Sequence, residues 1–135
     1  VRMVRRPRAA PVTARRPPAG AEGAASVAID HADPARPVAV VRGDIDAVGA
    51  AAVGVAIRRA CPADVHLRLD LSAVAYLDSS GVRLLVELAA RQAGGGASLA
   101  VRAPEGGPVH RVLVLTGLED ATGLSIEETP GRASG

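Results

Sequence analysis

The feature that most limits how this chain can fold is a change of hydrophobic period at residue 78. From Val65 to Leu71 apolar and polar residues alternate strictly, which marks a strand with one packed face and one wetter face. A polar turn is expected at Ser72, and Val74 to Leu77 is apolar again. Past Asp78 the period becomes helical, with Val82, Leu85, Val86 and Ala89 recurring on one face, and Gly94-Gly95-Gly96 stops the helix. A strand that hands over directly to a helix is half of a β-α-β unit, and the same handover occurs elsewhere in the chain.

Val27 to Ile29 is a short strand candidate, and Val38 to Val41 is a compact apolar run that ends at Gly43. Asp44 or Asp46 caps the following helix, whose inner face is expected to carry Val48, Ala52, Val55 and Ala56. Gly49 and Gly54 lower its propensity, Arg58 and Arg59 suit its last turn, and Pro62 forbids continuation. Ser98 to Arg102 is a strand, and Pro108 opens a helix carrying Val109, Val112 and Leu113. Thr116-Gly117-Leu118 stops that helix, and Leu124 to Ile126 forms a last short strand. The order β-β-α-β-α-β-α-(β) predicts one α/β domain with a mixed, largely parallel sheet of four or five strands.

Composition narrows the chemistry. Phe and Trp are absent and Tyr76 is the only aromatic residue, so the core must be aliphatic and base-stacking platforms are excluded. No apolar run approaches the roughly 18 residues that span a bilayer, and no signal-peptide core follows the first arginines. Cys61 is the single cysteine, which fits a reducing compartment, so a cytoplasmic protein is expected.

The basic balance is local. All sixteen basic residues are Arg. Residues 1–24 hold six of them against Glu22 alone, whereas the rest of the chain carries ten Arg against thirteen acids. A mildly acidic domain over residues 26–128 is therefore expected to follow a disordered Arg/Pro/Ala-rich leader, residues 1–25, and to precede a frayed tail from Thr129. Clustered Arg attracts polyanions without reading sequence, so a leader that binds nucleic acid is a further reading.

Nothing points to an enzyme. The chain lacks a P-loop and a dinucleotide fingerprint, and its cysteine and histidine content offers no metal-ligand spacing. His31, His66 and His110 occupy unrelated contexts, and no Gly-x-Ser-x-Gly elbow surrounds Ser79. No cofactor or metal is expected.

The informative segment is Asp70-Leu71-Ser72-Ala73-Val74-Ala75-Tyr76-Leu77-Asp78-Ser79-Ser80-Gly81-Val82. Two hydroxyls and a carboxylate meet where a strand hands over to a helix N-terminus. Capping alone explains one such residue. A phosphate on a serine there would meet the positive end of the helix dipole and free N–H donors, while adding about −1.5 to −2 charges to the surface.

This segment resembles the signature of STAS domains, specifically the bacterial anti-sigma-factor antagonists. Their site has the form Asp-Leu-Ser-x-Val-x-x-Leu/Met-Asp-Ser-Ser/Thr-Gly-Leu/Val. Gly43-Asp44-Ile45-Asp46 is similar to the family's Gly-Glu-Leu-Asp, with Asp44 in place of Glu. Val109 to Leu113 through Thr116-Gly117-Leu118 resembles its late helix and Ser/Thr-Gly-Leu element. The Arg-rich leader is not part of the family pattern.

The resemblance implies a sheet with helices mainly on one face. It also implies a protein that binds an anti-sigma factor with serine kinase activity, and so frees a sigma factor. Phosphorylation of Ser79 would switch the antagonist off, and a serine phosphatase would restore it. Asp46 and Asp78 would flank that serine, with Ser80 and Gly81 beside it. Leu84 and Leu88, if exposed, would add apolar contact to the partner, with core packing as the alternative. A stressosome-like scaffold without enzymatic activity is the other reading within this fold.

Overall fold

Strand alternation fixes which side of the sheet is covered. The computed structural model describes residues 24–129. Its elements are β1 (Ser26–Asp30), β2 (Val38–Ile45), α1 (Ala47–Ala60), β3 (Leu67–Leu77), α2 (Ser79–Gly94), β4 (Leu99–Pro104), α3 (Pro108–Thr116), α4 (Leu118–Thr122) and β5 (Ser125–Thr129). The strands lie in the order β1-β2-β3-β4-β5, with β1 antiparallel to β2 and every later pair parallel. Each parallel step moves one place in the same direction, so right-handed crossovers carry the helices to one face. The expected α/β architecture with a mixed, largely parallel sheet is the one observed.

Burial agrees with one covered face. Ala39, Val41, Leu67, Leu69, Leu71, Leu99, Val101 and Ala103 are buried, and the residues between them are only half-buried. On the open face Arg68 pairs with Glu127 at 2.8 Å and Arg102 with Asp70 at 3.8 Å. Both pairs are only partly exposed, and each contributes modestly to stability.

The polar turn expected at Ser72 is not a turn. β3 runs unbroken from Leu67 to Leu77, and the break in alternation comes from two bulges. Val40 pairs with Asp70, Arg42 with Ala73 and Asp44 with Tyr76, so β3 twice spends three residues where β2 spends two. Each extra residue shifts the side-chain parity, which keeps Leu71, Val74 and Leu77 all in the core. Ser72 donates its N–H to Asp70 Oδ1 at 3.0 Å within the first bulge.

Two helices are rotated relative to the expected faces. On α1 the buried residues are Gly49, Ala50, Val53, Gly54 and Ile57, while Val48 is 77% and Val55 48% exposed. Ala52 is exposed as well, and Ala56 is half-buried. The inner stripe contains two glycines, which carry no hydrophobic signal yet permit close approach. A Cβ at Gly54 would lie 3.2 Å from Leu84 Cδ1 of α2.

On α2 the buried residues are Gly81, Leu84, Leu85, Leu88, Ala89 and Gln92. Val86 is partly exposed, and Leu84 and Leu88 retain only 4% and 0% of their surface. Of the two readings left open for that leucine pair, core packing is the one observed, and neither leucine offers the exposed apolar contact. The helix packs against both α1 and the sheet, which widens its buried face toward them. The stops are as expected: Gly95 caps α2, and Gly117, in the left-handed region at φ 64°, ends α3. The short α4 that follows was not expected.

The leader and the tail fall mostly outside the described residues. Ala24 already bridges Asp44 and Ala25 packs on the core, so the fold takes in the last two leader residues. The strand β5 reaches Thr129, where the tail was expected to begin.

Two polar groups are held in the interior. Gln92 is fully buried and donates through Nε2 to the carbonyls of Pro62 at 3.1 Å and Val65 at 2.7 Å. Arg91 Nη1 donates to its Oε1 at 2.8 Å. Cys61 is buried, and burial pushes its thiol up, partly offset by the Arg91 guanidinium.

Two outcomes follow from this packing. Leu88→Ala should lower the unfolding free energy by about 2–5 kcal/mol in a urea titration, whereas Val55→Ala stays within about 0.5 kcal/mol. The Cys61 thiol ionises in the unfolded chain near pH ~8.5 but only at higher pH when folded. Stability contributed by the protonated thiol is thus complete below that pH and falls as pH rises through the folded value. Denaturation midpoints measured on the alkaline side should fall less steeply in Cys61→Ala than in the parent chain.

Candidate functional site

The parallel strands β2 and β3 end together, with Ile45 in register with Leu77. The next residue on each strand, Asp46 and Asp78, leaves the sheet in extended backbone and caps a helix. Asp46 Oδ1 accepts from Gly49 N at 2.8 Å. Asp78 Oδ1 accepts from Ser80 N at 2.8 Å and from Gly81 N at 3.4 Å. The Asp78 N–H donates to the Ile45 carbonyl at 3.3 Å, tying the two strand ends together.

Both turns share the pattern Asp-x-x-Gly, and in both the glycine is forced. A Cβ on Gly81 would lie 2.7 Å from Leu77 Cγ and 3.1 Å from Ile45 Cγ2. A Cβ on Gly49 would overlap the Asp44 carbonyl oxygen. The repeat Asp46-Ala47-Val48-Gly49 and Asp78-Ser79-Ser80-Gly81 is visible in the sequence, and it is the signal that could have paired the two turns.

Between α1 and α2 lies an open groove of about 270 Å³. Its α1 side is small, with Ala47, Ala50 and Ala51. Its α2 side is polar, with Ser79, Ser80, Arg83 and Glu87, and Leu84 forms its apolar floor. Arg58 reaches across to Glu87 at 3.4 Å, both side chains about half exposed. Asp46, Asp78, Ser79, Ser80 and Gly81, each singled out from sequence, meet at this corner. Leu84 borders it from below, and Leu88 lies in the core, away from any exterior surface.

The two serines differ. Ser79 is exposed at the first position of α2, and among the described residues its hydroxyl makes no hydrogen bond. Ser80 is half-buried, with its N–H committed to Asp78. Capping is thus performed by Asp78 and leaves the Ser79 hydroxyl available. The expectation of free N–H donors for an added phosphate is narrowed at the same point: Asp78 already occupies those of Ser80 and Gly81, and among the described residues the N–H of Ser79 makes no hydrogen bond.

The histidines do not enter this site. His66 stands before β3, at the opposite end of an 11-residue strand from Ser79, a separation of roughly 30 Å. Its Nδ1 lies 2.9 Å from Ser98 Oγ. His110 Nδ1 accepts from Gly106 N at 3.2 Å near the start of α3, and His110 is not among the residues lining the groove. Among the described residues no group of three or more His, Cys, Asp or Glu could hold a metal, and no helix is long and apolar enough to cross a membrane.

The family model described as "Mlab, STAS domain" matches residues 29–126. The chain belongs to the STAS-domain family. The solved anti-sigma factor antagonist from Mycobacterium paratuberculosis is similar at 28% identity and a TM-score of 0.69, covering 80% of this chain and 89% of that one. A protein from Thermotoga maritima shares the fold at 20% identity and a TM-score of 0.62, over 80% and 91% of the two chains. Unphosphorylated SpoIIAA, an anti-sigma factor antagonist, shares it at 13% identity and 0.57, over 81% and 94%. No curated protein matches the chain.

Within this STAS domain the acids and glycines of the corner have separable roles. Asp78→Ala should cost about 1 kcal/mol by removing a cap, and Asp78→Asn much less. Gly81→Ala should cost about 1–3 kcal/mol because Leu77 and Ile45 must give way. Urea denaturation of the three variants checks both expectations.

Proposed function

We propose that this STAS domain is an anti-sigma-factor antagonist switched by phosphorylation of Ser79. The observation that carries the reading is the division of labour at the start of α2, where Asp78 caps the helix and the exposed Ser79 hydroxyl makes no hydrogen bond among the described residues. The likeness to the mycobacterial anti-sigma factor antagonist, at 28% identity over most of both chains, supports the same role.

In the unphosphorylated state the corner at Asp46, Asp78, Ser79 and Ser80 meets an anti-sigma factor, which thereby releases its sigma factor. That partner is also a serine kinase. The terminal phosphoryl group of its nucleoside triphosphate passes to Ser79 Oγ as the bond to the bridging phosphate oxygen breaks, the nucleoside diphosphate leaves, and the hydroxyl proton passes to a base of the kinase. Asp46 and Asp78 position the serine at the kinase's nucleotide site. The added phosphate brings about −1.5 to −2 charges to a contact surface that has to be desolvated on binding, and the complex dissociates. A serine phosphatase reverses the change. The domain itself is a binding module without catalytic activity or cofactor, and it acts in the cytoplasm.

Intact-mass and peptide mass spectrometry of the protein from its native cells, with and without phosphatase treatment, tests this. A single phosphate on Ser79 is expected. Absence of phosphate under every growth condition would favour a constitutive scaffold instead.

Binding separates the same alternatives. Ser79→Ala, neutral and nearly isosteric, should hold the anti-sigma partner constitutively, and Ser79→Asp should bind at least about tenfold more weakly. Equal affinity of the two variants would refute the charge switch. Ser80→Ala should still accept phosphate.

A further inference from the structure

The groove beside Ser79 contains a cation whose natural partner is engaged elsewhere. Arg83 stands one turn after Ser79 on α2 and lines the same groove. Residues four apart on a helix are surface neighbours, with Cβ atoms about 5–6 Å apart. By the same rule Glu87 is the helical partner of Arg83, yet Glu87 reaches across the groove to Arg58 at 3.4 Å. Arg83 is exposed and, among the described residues, has no hydrogen bond or ion pair.

We propose that Arg83 is the residue that pairs with a phosphate carried by Ser79. This rests on the phosphoserine reading above and adds to it the group that receives the charge. Of the backbone donors of the first turn, Asp78 Oδ1 already binds the N–H groups of Ser80 and Gly81, which leaves a phosphate only the N–H of Ser79 itself. Asp46 and Asp78, the caps of the two helices at this corner, repel a phosphate. Arg58 is partly neutralised by Glu87. Among the described residues around Ser79, Arg83 alone offers uncompensated positive charge within one helical turn.

A guanidinium presents a planar fork of donors that matches phosphate oxygens, so the pairing is directional as well as electrostatic. It holds the modified side chain down along α2, over the groove that the unmodified surface leaves open. Arg83 is in this sense a positioning residue for the phosphorylated state.

The test installs phosphoserine at position 79 of the full chain by genetic encoding, so no kinase is required, and follows the phosphate by ³¹P NMR as pH is varied. An ordinary phosphoserine has its second pKa near ~6. Pairing with Arg83 holds this value down, so Arg83→Gln should raise it by about half a unit. Arg83→Lys should restore most of the difference, and high salt should narrow it. Arg58→Gln should move it less than Arg83→Gln.

An unchanged titration in Arg83→Gln would overturn the assignment, as would a larger effect from Arg58→Gln. Because the phosphate is supplied synthetically, either result bears on Arg83 alone. Failure to find phosphorylated Ser79 in cells bears on the proposed function instead.

Discussion

The site depends on one register. Ile45 and Leu77 lie side by side at the ends of two parallel strands, and everything functional begins at the next residue of each. In an antiparallel pair the two strand ends would lie at opposite edges of the sheet, and Asp46 and Asp78 could not meet. Parallel pairing instead places two helix starts, two carboxylate caps and two tight glycines at one corner. The Asp78 N–H bond to the Ile45 carbonyl fixes the distance between them. The β3 bulges serve the same end, since without them Val74 would point away from the core and Ala75, not Leu77, would lie opposite Ile45.

Close helix packing then shapes the groove. Gly54 of α1 faces Leu84 of α2, and Ala47, Ala50 and Ala51 continue the same small surface toward Ser79. A larger side chain at any of these positions would fill the space beside the serine. A core built almost without aromatic rings makes this approach possible, because leucine, valine and alanine pack in thin layers. The groove is therefore a product of the same aliphatic packing that stabilises the domain, and Leu84 belongs to both.

Much of this was legible in the sequence. The order of strands and helices and the helix stops at Pro62 and Gly95 followed from period and caps, and the corner residues Asp46, Asp78, Ser79, Ser80 and Gly81 were singled out by caps and by the resemblance to the STAS signature. The faces of α1 and α2 did not. Gly49 and Gly54 are buried without contributing to a hydrophobic stripe, so the pattern pointed to Val48 and Val55 instead. Leu84 and Leu88 looked peripheral because a helix between a sheet and another helix buries more of its circumference than one stripe reveals. A bulge has no sequence signature of its own, so the continuous β3 read as two runs around Ser72. The pairing of Arg58 with Glu87 spans 29 positions and depends on how two helices cross, which no local pattern encodes.

The arrangement also bears on what kind of switch such a corner can be. A modification acts through conformation only where it breaks or makes a contact that holds the fold. Here the cap bonds belong to Asp78, the strand tie belongs to the backbone of Asp78 and Ile45, and the Ser79 hydroxyl takes part in neither. Adding charge to Ser79 leaves each of those bonds in place. On the proposed reading the phosphate therefore alters what the surface repels and which cation it engages, while the sheet, the caps and the groove walls stay as they are. A rigid corner suits that mechanism, because pairing with Arg83 offsets only part of the new charge and the rest has to be desolvated in the complex with the partner.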